Sequence, residues 1–377
     1  MIRILHIVNS MDQGGLENLI MNIYRNIDRN KIQFDFLTHT LKEGAFYKEI
    51  LSLGGRIFSV PSRREGIFKN KSSLDTFFKK HPEYKIVHTH LSSLSYIEPL
   101  IAATRNDVPI RIVHCHSSRE GGMKINQYFH HLNKKRIEKY ANIFIAVSNS
   151  SAQWMFKDSL LNSGKVKILK NGITLENYEF DEIRRKNNRK KLNIDEETLV
   201  VGHVGRFTYA KNHEFLIDIF EEIHKKNANS KLLLVGDGEL RMKIEEKLRN
   251  KRVDDNTLLT GVTTKVPEYL EIMDIMIFPS RYEGLPLSVV EAQASGLKSI
   301  ISNNITDEVL ITDLAFAMSI NNPASEWAKE ALKLKSSTRR HLEVNKVKEA
   351  GFDIKDTAGK LINIYKSALK DVEEEYL

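Results

Sequence analysis

The chain has 377 residues, 41% hydrophobic and 28% charged, with 19 Gly and 8 Pro. That is an ordinary globular composition with length for two domains, and it excludes a disordered, collagenous or disulfide-scaffold protein. The lone cysteine, Cys115, cannot close an internal disulfide and favours a reducing compartment, while the net charge of +8 admits an anionic partner.

The first nine residues form an apolar run too short for a signal peptide, and no segment approaches the ~20 apolar residues of a membrane span. The expectation is a cytoplasmic protein. Short β-branched runs follow at 2–8, 33–38, 56–60, 85–88, 110–114 and 143–147, with amphipathic stretches such as 16–27 and 125–140 between them. This is the βαβ rhythm of a parallel sheet covered on both faces. Residues 176–197 carry two basic triplets, Arg184-Arg185-Lys186 and Arg189-Lys190-Lys191, among few apolar positions. They read as a domain junction with a short solvated helix. The rhythm restarts at 198–204, 231–235, 256–260, 274–278, 298–301 and 315–320, and a helical pattern closes the chain. The expected organisation is a doubly wound first domain over 1–180, a second over 181–352, and a closing helix over 353–377.

In such sheets ligands sit beyond the carboxyl ends of the strands, so the strand-to-helix turns carry the chemistry. After the first strand, Gly14 and Gly15 let backbone amides approach an anion at a helix start, without completing a dinucleotide or Walker fingerprint. A plain tight turn is the competing reading. In the second domain, Arg206 and Lys211 flank the start of a helix whose dipole also favours anions, the makings of a phosphate clamp. A solvated turn would look similar. Strand 231–235 ends in the Gly-rich run Gly236-Asp237-Gly238.

The most informative segment runs from Phe278 to Ala292. Pro286 suits a first helical turn, with Glu283 just before the helix, Glu291 about two turns inside, and the Gly284 and Leu285 amides free. Carboxylates flanking an anion-seeking helix start suit a nucleotide sugar, with hydroxyls at both ends and phosphates between. They could also be a glycosidase acid/base pair, or a capping residue and a solvated face. His88, His90, His114 and His116 form two His-x-His pairs at strand ends, a pattern able to hold a metal. No carboxylate accompanies them, and a histidine facing a cleft is the commoner outcome; His116, followed by Ser117 and Ser118, is the better site residue. His130-His131 reads as surface. No Asp-x-Asp occurs, so a diphosphate would rely on Arg206, Lys211 and helix dipoles rather than a metal.

Taken in order, these motifs resemble the GT-B-fold retaining glycosyltransferases of family 4. The match runs from Gly14-Gly15-x-Glu17 through His116, Val147-Ser148-Asn149 and Asn171-Gly172-Ile173. It continues through Gly205-Arg206-Phe207, Lys211-Asn212, Val235-Gly236-Asp237-Gly238 and Gly261-Val262 to the Glu283…Glu291 pair. Residues 4–37 look most like the exopolysaccharide and capsule branch. The resemblance implies an α/β fold of two Rossmann-like domains facing a cleft, with the last helix packing back on the first. It implies retaining, metal-independent transfer of a hexose or N-acetylhexosamine, without a cofactor, from a nucleotide-diphosphate sugar, uridine being the commoner base. The acceptor would be a saccharide or lipid-linked saccharide. Arg206 and Lys211 would stabilise the leaving diphosphate, Glu283 would meet the sugar and Glu291 the ribose. His116 would lie near the sugar, Gly15 against the phosphates, and Val262 by the base. A nucleotide-sugar epimerase and a non-catalytic scaffold of a polysaccharide-assembly complex are the competing functions.

The charge is uneven. Residues 1–180 hold 26 Lys and Arg against 16 Asp and Glu, net +10, and the remainder 31 against 33, net −2. No basic–aromatic module for nucleic acid occurs. A basic first domain suits an enzyme peripheral to the inner face of an anionic membrane, where lipid-linked acceptors reside.

Overall fold

The computed structural model describes residues 1–12, 14–117, 124–334, 340 and 343–375. Two compact units emerge: residues 1–172 with 354–377, and residues 173–353. The first unit ends at Gly172 rather than near residue 180, because Ile173, Leu175 and Tyr178 bury their side chains in the core of the second.

The first unit contains β1 (Ile2–Val8), β2 (Ile32–Thr38), β3 (Ile57–Ser59), β4 (Ile86–Leu91), β5 (Ile110–Cys115), β6 (Ile143–Ala146) and β7 (Val166–Ile168). All pairings are parallel, in the order β3-β2-β1-β4-β5-β6-β7. The short edge strand β7 gave no signal in the sequence, having only three residues, of which the middle one is Lys167. Side-chain alternation sorts β1 cleanly. Ile4 and Val8 enter one core, against the Gly15–Arg25 and Ile354–Glu375 helices, while Leu5 and Ile7 enter the core on the opposite face. Within the last helix, Ile354, Ala358, Leu361, Tyr365 and Ala368 recur at helical spacing and are buried in the first of these cores.

The second unit holds β8 (Leu199–Val204), β9 (Ser230–Val235), β10 (Thr257–Leu259), β11 (Ile275–Phe278), β12 (Ser299–Ser302) and β13 (Ala315–Met318), ordered β10-β9-β8-β11-β12-β13, again parallel. Val200 and Val204 face one core, Leu199 and Val201 the other. Strand order reverses beside β1 in the first sheet and beside β8 in the second. Those switch points are where doubly wound sheets bind ligands.

The basic run at 184–191 departs from the expectation of a solvated junction. It forms the Glu182–Lys191 helix, in which Arg189 is buried, Arg185 is half-buried and Arg184 is exposed. Arg184 pairs with Glu271, Arg185 donates to Asp274 at 2.5 Å, and the fully buried Arg189 donates to the Thr198 carbonyl. Arg185 and Arg340 also take the last carbonyls of the Val266–Ile272 helix, which lack partners within that helix.

Candidate functional site

In the second unit, four loops meet at the carboxyl ends of the strands. Three are tied together through glycine backbone. Gly205 donates to the Val235 carbonyl at 3.0 Å, Phe207 to Asp237 at 2.9 Å, and Gly236 to Gly261 at 3.1 Å. A Cβ on Gly236 would lie 2.2 Å from the Gly205 carbonyl oxygen, and φ is +141° there, so the backbone approach requires glycine. A Cβ on Gly205 would press on Lys211, 3.1 Å from its Cε. The bare glycine lets the lysine stem cross the end of β8.

Lys211 Nζ lies 2.8 Å from Glu283 Oε1 and 4.5 Å above the Phe278 ring. Both charged side chains are only 16% exposed, so this pair is largely withdrawn from solvent screening. The turn that carries Glu283 is held by Arg281, whose backbone donates to the Ala210 carbonyl at 2.7 Å and whose guanidinium stacks over Tyr209 at 4.5 Å. Arg206, by contrast, is exposed and makes no ion pair among the described residues. A free cation thus stands five residues from a neutralised one, next to a helix N-terminus at His213–Lys226.

The last loop enters the Leu287–Ala294 helix with Pro286 as its N-cap. The helix starts one residue after the proline, so Glu291 lies a little over one turn inside rather than two. Burial raises the Glu291 carboxyl above its usual range, and a hydrogen bond from Tyr178 works in the opposite direction. Gly284, Leu285 and Pro286 line the approach to that helix, half-buried or buried, and Val262 follows the positive-φ Gly261 and is exposed.

In the first unit, Gly14 caps the Gly15–Arg25 helix in extended conformation. A Cβ on Gly15 would meet nothing within 4 Å. The protein's own packing therefore does not demand glycine there, whereas close approach of a ligand would.

The histidines assemble into one network, which also recruits two residues that motif reading missed. Register pairs His6 of β1 with His88 of β4, and His90 with His114 of β5. All share the sheet face covered by Tyr365. His6 Nδ1 lies 2.9 Å from His90 Nε2, and His90 Nδ1 lies 2.9 Å from His116 Nε2. A second branch runs from the Tyr365 hydroxyl to His88 Nδ1 at 2.6 Å, and from His88 Nε2 to His114 Nδ1 at 3.1 Å. Neutral imidazoles carry one donor and one acceptor, so the bonds within each branch are met by a consistent choice of tautomers, while His6 Nε2, His114 Nε2 and His116 Nδ1 find no partner among the described residues. Burial pushes His6 and His116 down to about 3, and holds His88, His90 and His114 well below the normal value, with mutual repulsion adding to it. His114 is buried inside the network; His116 is half-buried at the strand's end, with Nδ1 unpaired among the described residues. Ser118 lies outside the described residues.

His6, His88 and His90 bring three imidazole nitrogens within 4.8 Å of one another, as do His90, His114 and His116. This carboxylate-free donor set matches zinc or copper chemistry, and not the magnesium or manganese that bridges a diphosphate. His130, expected at the surface, is fully buried. Its Nδ1 accepts from the Leu94 amide at 3.1 Å and its ring stacks on Trp154 at 4.1 Å.

Comparison with known proteins fits this geometry. A family model described as Glycosyltransferase Family 4 matches residues 13–177, and one described as Glycosyl transferases group 1 matches residues 184–348. The putative glycosyltransferase EpsF of Bacillus subtilis is 33% identical over 369 residues, covering 96% of each chain. An Escherichia coli UDP-Gal:alpha-D-GlcNAc-diphosphoundecaprenol alpha-1,3-galactosyltransferase is 29% identical over 72% of each chain. Among solved structures, Anabaena Alr3699/HepE in complex with UDP-glucose superposes with a TM-score of 0.78 at 17% identity, over 97% of this chain and 100% of that one. The chain belongs to this glycosyltransferase family, and its fold is GT-B.

Proposed function

We propose that the protein transfers a hexose or N-acetylhexosamine, with retention, from a uridine-diphosphate sugar to a saccharide or lipid-linked saccharide in cell-surface polysaccharide synthesis. The observation that carries this reading is the end of the second sheet: a largely buried Lys211–Glu283 pair beside the free cation Arg206 and two helix starts. This arrangement can hold two phosphates without a metal. Support for the donor and pathway comes from the relatives, one named for UDP-Gal and a diphosphoundecaprenol-linked acceptor, and from the fold neighbour's complex with UDP-glucose.

In this mechanism the glycosidic C–O bond to the diphosphate breaks as an oxocarbenium-like centre forms. Negative charge then grows on the departing phosphate, where Arg206 and Lys211 stabilise it. That phosphate oxygen takes the acceptor hydroxyl's proton while the acceptor oxygen bonds to the same face of the sugar. Glu283 serves twice: it orients Lys211 before the donor arrives and accepts from a sugar hydroxyl afterwards. Glu291, kept protonatable by burial, meets a ribose hydroxyl. Within the second unit, Val262 and the Gly284–Leu285 amides contact the donor's nucleotide end; in the first, Gly14, Gly15 and His116 are the residues that the family resemblance assigns to the donor.

Replacing one pre-aimed donor of this kind typically lowers the rate on the order of 10²–10³. Arg206→Ala should do so with an unchanged melting temperature, since the side chain is exposed and makes no ion pair among the described residues. Glu283→Ala should lose as much activity and also loosen UDP binding, because Lys211 loses its partner. Full activity in either variant would refute the assignment. Activity should also survive EDTA, and complete loss on chelation would move the chemistry to the histidine network.

A further inference from the structure

The Lys124–Lys134 helix is turned inside out for a globular protein. Its apolar residues Ile125, Tyr128, Phe129 and Leu132 follow the i, i+3, i+4, i+7 spacing of a core-facing stripe. Yet they are 52, 63, 38 and 37% exposed. The buried residues are the polar His130 and Asn133, which clamp the backbone of Leu94: the Leu94 amide donates to His130, and Asn133 Nδ2 donates to the Leu94 carbonyl at 2.7 Å. Lys134 fixes the end of the helix on the Gln153 and Trp154 carbonyls. These specific bonds set the helix's rotation and direct its apolar face outward.

The surroundings identify what covers that face. Residues 124–136 contain Lys124, Lys134, Lys135 and Arg136 and no acidic residue. The loop that the helix grips is also bound by Arg63, which donates to the Ser95 carbonyl at 3.3 Å and lies over the Tyr96 ring at 5.6 Å. Next to Arg63 in the chain, Ile67 and Phe68 are 56 and 88% exposed, amid Arg64 and Lys69. Two elements anchored on one loop therefore expose aliphatic and aromatic side chains interspersed with cations. A protein partner would want a flat, charge-depleted apolar core. Aromatic and aliphatic groups that enter the acyl boundary, with lysines and arginines at headgroup level, are the chemistry of an interfacial membrane helix.

We infer that the face formed by the Lys124–Lys134 helix and the Ile67–Phe68 corner docks on an anionic phospholipid surface. This deepens the proposed function and rests on it only for placing a lipid-linked acceptor at that surface.

The native thiol makes a clean test possible. Cys115 is buried and burial pushes it up to about 12, so an environment-sensitive fluorophore on Tyr128→Cys labels the new site selectively. The same label on Met242→Cys, an exposed position in the second unit, serves as the control. Phosphatidylcholine vesicles containing phosphatidylglycerol should raise and blue-shift emission at position 128 and leave position 242 unchanged. Anionic lipid should strengthen co-sedimentation by at least about tenfold over phosphatidylcholine alone. Ile125→Glu with Tyr128→Glu should abolish that gain, and Lys124→Glu with Lys135→Glu should erase the preference for anionic lipid. In vesicle-free solution both variants should keep wild-type thermal protection by UDP. A protein that stays in the supernatant, equal responses at 128 and 242, or a dimer dissociated by the apolar variant without vesicle binding would each overturn the inference. Loss of UDP protection in the wild type would instead refute the proposed function and leave vesicle binding standing.

Discussion

At the scale of single residues, Gly15 is the sharpest probe of the donor site. Most glycines at these turns are enforced by the protein, as Gly236 is by the Gly205 carbonyl. Gly15 is not, since a Cβ there enters open space and the residue starts a helix, where alanine is the better former. Gly15→Ala should therefore leave the melting temperature unchanged or slightly raised. If a phosphate packs against this backbone, the added methyl should weaken UDP-sugar binding, seen as a raised KM with an intact fold. An unchanged KM would remove Gly15 from the donor site. This residue was legible because a Gly-Gly pair after a first strand punctuates the chain. The same is true of Arg206, Lys211 and the Glu283…Glu291 spacing, where charge and helix-start chemistry sit together in sequence. His6 and Tyr365 were not legible, because His88 reaches Tyr365 across 277 positions, and only register and a returning helix bring them together.

At the scale of elements, strand parity carried the reading and helix rotation defeated it. Period two placed His88 with His90, and His114 with His116, on a common face of each strand; only register brings the two pairs together. For the Lys124–Lys134 helix, the apolar stripe pointed to the wrong buried face, since two side-chain hydrogen bonds to Leu94 outweigh it. The arginines of the Glu182–Lys191 helix misled likewise: a basic run looks the same whether it is solvated or satisfies carbonyls and buried carboxylates. The histidine-bearing sheet has a thermodynamic signature. An imidazole whose folded pKa lies below its unfolded value near 6.5 is protonated only in the unfolded chain between the two. Acid therefore favours unfolding: this stability is complete above about pH 6.5 and is lost as pH falls toward about 3, the value for His6 and His116. Each such group contributes a slope of ~1.4 kcal/mol per pH unit. Urea titrations should show the first unit losing stability steeply between pH 6.5 and 5, and a flat profile there would mean that these imidazoles are solvated.

At the scale of the whole molecule, the chain leaves the first unit at Gly172 and returns at Ile354, so that unit is completed only by residues that follow the entire second unit. The crossing is tight. A Cβ on Gly172 would fall 2.6 Å from both the Ile354 Cα and the Thr357 hydroxyl, and Thr357 donates to the Lys170 carbonyl at 3.1 Å. Beyond it, Ile354, Leu361 and Tyr365 are fully buried in the first core. Fully burying a large apolar side chain is worth roughly 1.5–3 kcal/mol. Three of them thus represent roughly 5–9 kcal/mol, comparable with the roughly 5–15 kcal/mol that holds a whole domain together. Removing residues 354–377 should therefore unfold the first unit rather than weaken it, and would strip the cover from the histidine network as well. Among the described residues the second unit contributes none to that core, and it has two apolar cores of its own. In the truncated chain, hydrogen exchange should show amide protection lost across β1 to β6 and kept across β8, β9 and β11. Protection persisting in β1 would mean that the final helix is an accessory and that residues 1–172 fold without it. Gly172→Ala offers a milder version, in which a backbone displaced at the crossing should cost about 1–3 kcal/mol, as overpacking typically does, and the loss should again fall on the first unit.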